Sequence, residues 1–168
     1  GKKYEDLDID PESPADDIVY CLAKHSGIKV ENIVVCILNR KRHENLIASV
    51  RKTGARIKLI SDGDVSAVIA TSFENSGVDI YMGIGGSPEG VLAAAALRCI
   101  GGKIYSKLIF ANKIEKDRAF DMGIKDFNAV YTTFFTKGAL PARSAFGVDG
   151  LPMGAMVEVE CMAHMRRM

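Results

Sequence analysis

The sequence predicts an α/β fold, on three observations. Short apolar, β-branched runs alternate with longer segments whose apolar residues recur every three to four positions. Glycine stands where several of those longer segments should stop, at Gly27, Gly54 and Gly101. Apolar residues make up 48% of the 168-residue chain, enough for one ordinary domain to bury a core.

Residues 5–17 carry seven acids, with Pro11 and Pro14 among them, and read as a polar lead-in. Ser13 is then placed to cap a helix over 14–26, with Pro14 in the first helical position and Asp16 and Asp17 in the first turn. Ile18, Val19, Leu22 and Ala23 form its inner face. The run Ile33-Val34-Val35-Cys36-Ile37-Leu38 is continuous and apolar, which predicts a strand covered on both faces. A helix over 43–53 turns Leu46, Ile47 and Val50 inward, and a strand follows over 56–60. Asp62-Gly63-Asp64 leads into a helix over 64–73, with Asp64 as a good N-cap. A strand over 78–82 then meets a glycine-rich loop at 83–86. The helix from Pro88 to Ile100 is apolar almost all round and is expected to be buried between layers. A strand over 104–110 and a helix over 113–122, stopped at Met122-Gly123, complete the alternation, which leaves the strand order open. Beyond about residue 125 short glycine and proline breaks interrupt the apolar runs, and five of the seven methionines fall between 153 and 168.

Charge and composition exclude several function classes. Twenty-two basic side chains nearly cancel 21 acidic ones, so a net charge of +1 gives no general attraction to nucleic acid or to an anionic membrane. No apolar run approaches the ~18 residues of a membrane span. The start, Gly1-Lys2-Lys3-Tyr4, leads into acids rather than an apolar stretch, so no signal peptide is visible and a cytoplasmic location is expected. Cys21, Cys36, Cys99 and Cys161 form no C-x-x-C pair, and His25, His43 and His164 do not stand near them at zinc spacing. Buried free thiols in a reducing compartment are the expectation.

Three segments carry chemistry, and each follows a predicted strand. Gly83-Ile84-Gly85-Gly86-Ser87-Pro88-Glu89-Gly90 lets backbone N–H groups approach a ligand and ends on a helix N-terminus, which favours an anion. It is neither a dinucleotide fingerprint, since Pro88 replaces the third glycine, nor a phosphate loop with Gly-Lys-Ser/Thr. A ligand loop and a tight structural turn both fit it. Glu89 suits either helix capping or a divalent cation held beside a phosphate. Asp62 and Asp64 lie where α/β sheets bind ligands and could accept from sugar hydroxyls or hold a metal, while a capping role for Asp64 fits equally. Arg40-Lys41-Arg42-His43 could clamp phosphate oxygens or form a solvated basic loop, with His43 capping or preceding the next helix. Parallel strands would bring all three segments to one rim, where they suit a phosphorylated polyol and a divalent cation.

Three stretches, Arg40-x-Arg42-His43-x-x-Leu46-Ile47, Thr53 through Asp64, and Gly83 through Gly102, resemble class II fructose-1,6-bisphosphatase of the GlpX type, over roughly residues 4–125. The resemblance implies a layered α/β/α/β/α sandwich, shared with lithium-sensitive sugar and inositol phosphatases. It implies hydrolysis of the 1-phosphate of fructose 1,6-bisphosphate with Mn²⁺ or Mg²⁺ and a homo-oligomeric intact enzyme, with sedoheptulose 1,7-bisphosphate left open as a second substrate. Position by position, Arg40, Lys41 and Arg42 match the basic substrate segment, Asp62, Gly63 and Asp64 the acidic substrate turn, Gly86 a substrate contact and Glu89 a metal ligand. Lys41 stands where the family commonly has proline, which removes a rigid φ. Most metal-binding carboxylates, and the Asp-Gly-Thr-type motif that positions water, belong to a family segment expected upstream of Gly1. The expectation is therefore a substrate-binding half over 1–125 with a shortened segment at 126–168, and no hydrolysis by the 168-residue chain alone. A non-catalytic sugar-phosphate binding module and an inactive structural fragment are the alternatives.

Overall fold

The computed structural model describes Ile9 and residues 13–110, 112–121, 147–148 and 158–164. Helix α1 is Ala15–Ser26, followed by strand β1, Val34–Leu38. Helix α2 is Glu44–Lys52 and strand β2 is Arg56–Ile60. Helix α3 is Asp64–Ala70, β3 is Ile80–Gly86 and α4 is Ser87–Ile100. Strand β4 is Lys103–Phe110, α5 is Lys113–Asp121, β5 is Gly147–Val148 and β6 is Glu158–His164.

The strands form one mixed sheet in the order β2-β1-β3-β6-β4-β5. Strand β1 runs parallel to both β2 and β3, whereas β6 is antiparallel to β3 and β4. Period-two alternation sends neighbouring residues to opposite faces. On one face Val35, Ile37, Ile80, Met82 and Tyr105 pack with Ile18, Val19 and Leu22 of α1 and Ile47 and Val50 of α2. On the other, Cys36, Tyr81 and Ile104 pack with Ala67 and Val68 of α3 and Ala93, Ala94 and Leu97 of α4. The result is a helix–sheet–helix layering, with the α/β class as predicted.

This layering follows from the strand order. The chain leaves β1 for β2 on one side, then returns past β1 to β3 on the other. Right-handed crossovers in opposite directions must place their helices on opposite faces, and α2 and α3 are so placed. Between β1 and β3 the direction of winding reverses. Such a switch point opens a crevice beyond the carboxyl ends of the strands.

Several local expectations need correction. Pro14, not Ser13, occupies the N-cap position of α1, and no side chain caps that end. Gly63, not Asp64, is the N-cap residue of α3, in a left-handed conformation at φ 84° that a side chain would disfavour. Helix α3 ends at Ala70, with Thr71 as its C-cap. The glycine segment 83–86 is not a loop but the second half of β3, because β6 pairs with it as far as Gly86↔Glu158. Helix α4 is buried on one side only: Val91 is 65% and Leu92 61% exposed, while Leu97 is fully buried. An all-apolar helix reveals its inner face through contacts, and Ala93, Ala94 and Leu97 are the residues that reach the sheet. Cys36 is a buried free thiol as expected, but Cys21 and Cys99 are exposed on the outer sides of α1 and α4. The expected stop at Met122-Gly123 and the features between Lys125 and Phe146 lie outside the described residues. No described helix is long and apolar enough to cross a membrane.

A candidate ligand site at the switch point

The carboxyl ends of the parallel strands β1, β2 and β3 carry Arg40–His43, Asp62–Asp64 and Gly83–Glu89 respectively. The rim inferred from the sequence therefore forms. A shallow, open cleft lies between α3, β3 and α4, lined by Asp64, Tyr81, Gly83, Gly85, Gly86 and Glu89 among others.

Glycine builds this cleft by leaving room. A Cβ on Gly86 would collide with the Glu89 carboxylate, and one on Gly85 would stand 3.2 Å from Oδ2 of Asp64. A Cβ on Gly83 would meet the Tyr81 hydroxyl at 3.0 Å and Cε1 of His43 at 3.4 Å. The two carboxylates thus flank a strand end where only Ile84 among residues 83–86 carries a side chain. Glu89 lies in the first turn of α4, where the helix dipole favours its negative charge.

The acidic turn orders itself. The Gly63 N–H donates to Oδ1 of Asp62 at 2.8 Å, and the Val65 N–H donates to Oδ1 of Asp64 at 2.9 Å. Asp62 and Gly63 are exposed on the rim, whereas Asp64 is half-buried and reaches the cleft wall.

The basic segment divides its roles. Arg40 and Lys41 are exposed, and Nη1 of Arg40 donates to the Asn39 carbonyl at 3.4 Å. Arg42 instead reaches across the crevice. Its Nε and Nη2 both donate to the Ile84 carbonyl, at 3.0 and 2.8 Å. His43 is fully buried. Its Nδ1 lies 2.8 Å from the Leu38 carbonyl, and its Nε2 accepts the Ile84 N–H at 2.8 Å. An Nε2 that accepts leaves the proton on Nδ1, which then donates to Leu38. Burial, joined by the charges of Arg42 and Arg40, holds the ring's pKa below the ordinary histidine value, against the pull of the Leu38 carbonyl.

The site residues proposed from sequence therefore fall into two groups. Asp64, Gly86 and Glu89 share the cleft, and Arg42 is tied to its strand. Arg40, Lys41, Asp62 and Gly63 stand on the surrounding rim. Sequence reasoning missed Tyr81 as a wall of the cleft and His43 as a bridge between strands. The signal for His43 was its place directly behind Arg40-Lys41-Arg42 at a strand end, but its partner Ile84 is 41 residues away. Among the described residues, no group of three or more His, Cys, Asp or Glu side chains is placed to hold a metal ion.

Fold and cleft together define an α/β protein with an open cleft between α3, β3 and α4, on one face of a mixed sheet. The family model of bacterial, glpX-encoded fructose-1,6-bisphosphatase matches residues 1–135, and the chain belongs to that family. It is 38% identical over 162 residues to the D-fructose 1,6-bisphosphatase class 2/sedoheptulose 1,7-bisphosphatase of Synechocystis sp., covering 89% of this chain and 46% of that protein. The protein of the same name from Crocosphaera subtropica is 39% identical over 141 residues, covering 77% of this chain and 40% of its own. That from Trichodesmium erythraeum is 38% identical over 151 residues, with shares of 77% and 44%. The chain thus spans less than half the length of these curated relatives.

Proposed function

We propose that this chain supplies the substrate-facing part of a metal-dependent phosphatase that hydrolyses the 1-phosphate of fructose 1,6-bisphosphate. The names of the relatives add sedoheptulose 1,7-bisphosphate as a second substrate of the same chemistry. One observation carries the reading: basic, acidic and glycine segments gather at the ends of three parallel strands, around a cleft that Asp64 and Glu89 both line.

Each residue then has a task that its chemistry suits. Arg40, Lys41 and Arg42 place positive charge where phosphate oxygens arrive, and the fork of exposed Arg40 matches their geometry, whereas Nε and Nη2 of Arg42 are turned to Ile84. Asp62 and Asp64 accept hydrogen bonds from sugar hydroxyls, on a turn shaped by Gly63. Gly86, with no side chain of its own, leaves room for the Glu89 carboxylate beside the backbone that faces the substrate. Glu89 offers hard oxygen donors to Mn²⁺ or Mg²⁺, ions that take one or two protein carboxylates and complete their shell with phosphate and water. A lone carboxylate of this kind fits a cation shared with the substrate better than a closed protein cage. A cation held there would supply activation of water and offset charge at phosphorus. Water then adds to phosphorus as the bond to the O1 oxygen breaks, which gives fructose 6-phosphate and phosphate. The carboxylates that complete the metal site and position the water lie, on this reading, outside the 168 residues.

Phosphate release and calorimetry test the proposal together. The purified, mass-verified chain with Mn²⁺ is expected to bind fructose 1,6-bisphosphate without turning it over. Full turnover by the chain alone would overturn the division of labour. Absence of binding would overturn the assigned substrate site. Tight binding that ignores added metal would favour a non-catalytic binding module.

A further inference from the structure

We propose that His43 is a positioning residue for the bisphosphate site, resting on the functional reading above: its ring carries the glycine half of β3 past the point where pairing with β1 ends. Strand β1 pairs with β3 only at Val35↔Ile80 and Cys36↔Tyr81. Among the described residues the β1–β3 pairing stops at Tyr81 although β1 runs on to Leu38, and the unpaired stretch of β3 is the one that bears Gly83, Gly85 and Gly86. The peptide groups of Ile84 on the β1-side edge are met by side chains instead. His43 accepts the N–H, and Arg42 donates twice to the carbonyl. Through Nδ1 the same ring is fixed to the Leu38 carbonyl, the last residue of β1. One imidazole therefore replaces the missing rung of the ladder at the switch point.

A histidine suits the post. It presents an acceptor and a donor on opposite sides of a rigid ring, which a backbone peptide would otherwise provide. The ring is fully buried, and Gly83 leaves it space at 3.4 Å. A shift of Ile84 would carry Gly85 and Gly86 with it, and with them the gap in which the Asp64 and Glu89 carboxylates stand. Because Arg42 is also a proposed substrate group, the test falls on His43.

Two substitutions separate the two ring nitrogens. His43→Gln keeps an acceptor near the Nε2 position, whereas His43→Asn keeps a donor near Nδ1 and gives up the bond to Ile84. Amide hydrogen exchange at Ile84 and calorimetric binding of fructose 1,6-bisphosphate are read on both. We expect His43→Asn to speed Ile84 exchange and to weaken binding, each by about tenfold, the scale of one lost hydrogen bond. His43→Gln should stay within about threefold of wild type on both. Equal losses in the two variants, tracking their loss of stability, would show a merely structural histidine and overturn the proposal. So would Ile84 exchange that quickens while binding stays unchanged. Ring ¹⁵N shifts of the wild type give a check that needs no variant: protonation on Nε2 would overturn it outright. A wild-type chain that does not bind the bisphosphate overturns the functional reading and the positioning role with it. A His43→Asn variant that binds as wild type does overturns the His43 role alone.

Discussion

At the scale of single residues, the cleft depends on what is missing as much as on what is present. Gly86 has ordinary extended dihedrals, φ −64° and ψ 148°, so alanine fits its backbone. The added methyl would instead displace the Glu89 carboxylate, which sits on an exposed, flexible side chain. Gly86→Ala is therefore expected to change stability by less than about 1 kcal/mol, the usual range for a surface change. Under the proposed function it should weaken Mn²⁺-dependent bisphosphate binding several-fold. Thermal melting and calorimetry on the same sample check both halves, and unaltered binding would remove Gly86 and Glu89 from the site. His43 predicts a pH dependence. Its pKa is depressed in the folded chain, so the unfolded chain binds more protons as pH falls. The stability from its neutral ring is fully present above an unfolded value of about 6.5 and declines as pH drops through the lower folded value. Wild type should lose urea stability between neutral and mildly acidic pH, and His43→Gln should lose measurably less. Equal losses would mean that other groups dominate the acid response. At Cys36, burial raises the thiol pKa while Lys58 opposes it, which fits an inert core sulfur.

At the scale of elements, what was legible in the sequence was local. The ends of α1 and α4 could be read from Gly27 and Gly101, because a left-handed residue is a local demand, here φ 67° and 79°. Strand β1 could be read because both of its faces are covered and every inner position is apolar. The continuation of β3 through its glycines could not. Gly83–Gly86 has no strand propensity of its own, and the partner that makes it a strand is β6, more than seventy residues later. Helix α4 was misread for a related reason. Its sequence is apolar on every side, so periodicity gives no inner face. The structure assigns one, and its consequence is measurable. Leu97→Ala removes a fully buried side chain and should cost about 2–5 kcal/mol. Leu92→Ser, at a position 61% exposed, should fall within about 0.5 kcal/mol of wild type. Urea denaturation of the two variants checks the contrast, and a large loss from Leu92→Ser would show that its face is covered in solution.

At the scale of the whole molecule, the near-neutral charge conceals opposite charges held apart at one rim: Arg40–Arg42 behind β1 and Asp62–Asp64 behind β2. Their convergence was legible once parallel strands were assumed, because equivalent ends of parallel strands share an edge. The strand order was not legible, because it depends on pairings with large sequence separation. The decisive pairing involves β6, which stands between β3 and β4 and matches each of them over seven residues. Its removal would leave two interior edges with unpaired N–H and C=O groups, at about 1–3 kcal/mol for each such group left dry. Native stability is only about 5–15 kcal/mol, so the sheet cannot absorb that loss. It would also free the far edge of Gly83–Gly86, leaving Arg42 and His43 to hold the opposite edge at Ile84. A chain ending at Asp121 should therefore show no cooperative thermal transition and no bisphosphate binding, although it keeps every proposed site residue. The full 168-residue chain, melted and titrated in parallel, is the reference. A truncated chain that melts cooperatively and still binds would show that β6 is an ornament to the sheet rather than its centre.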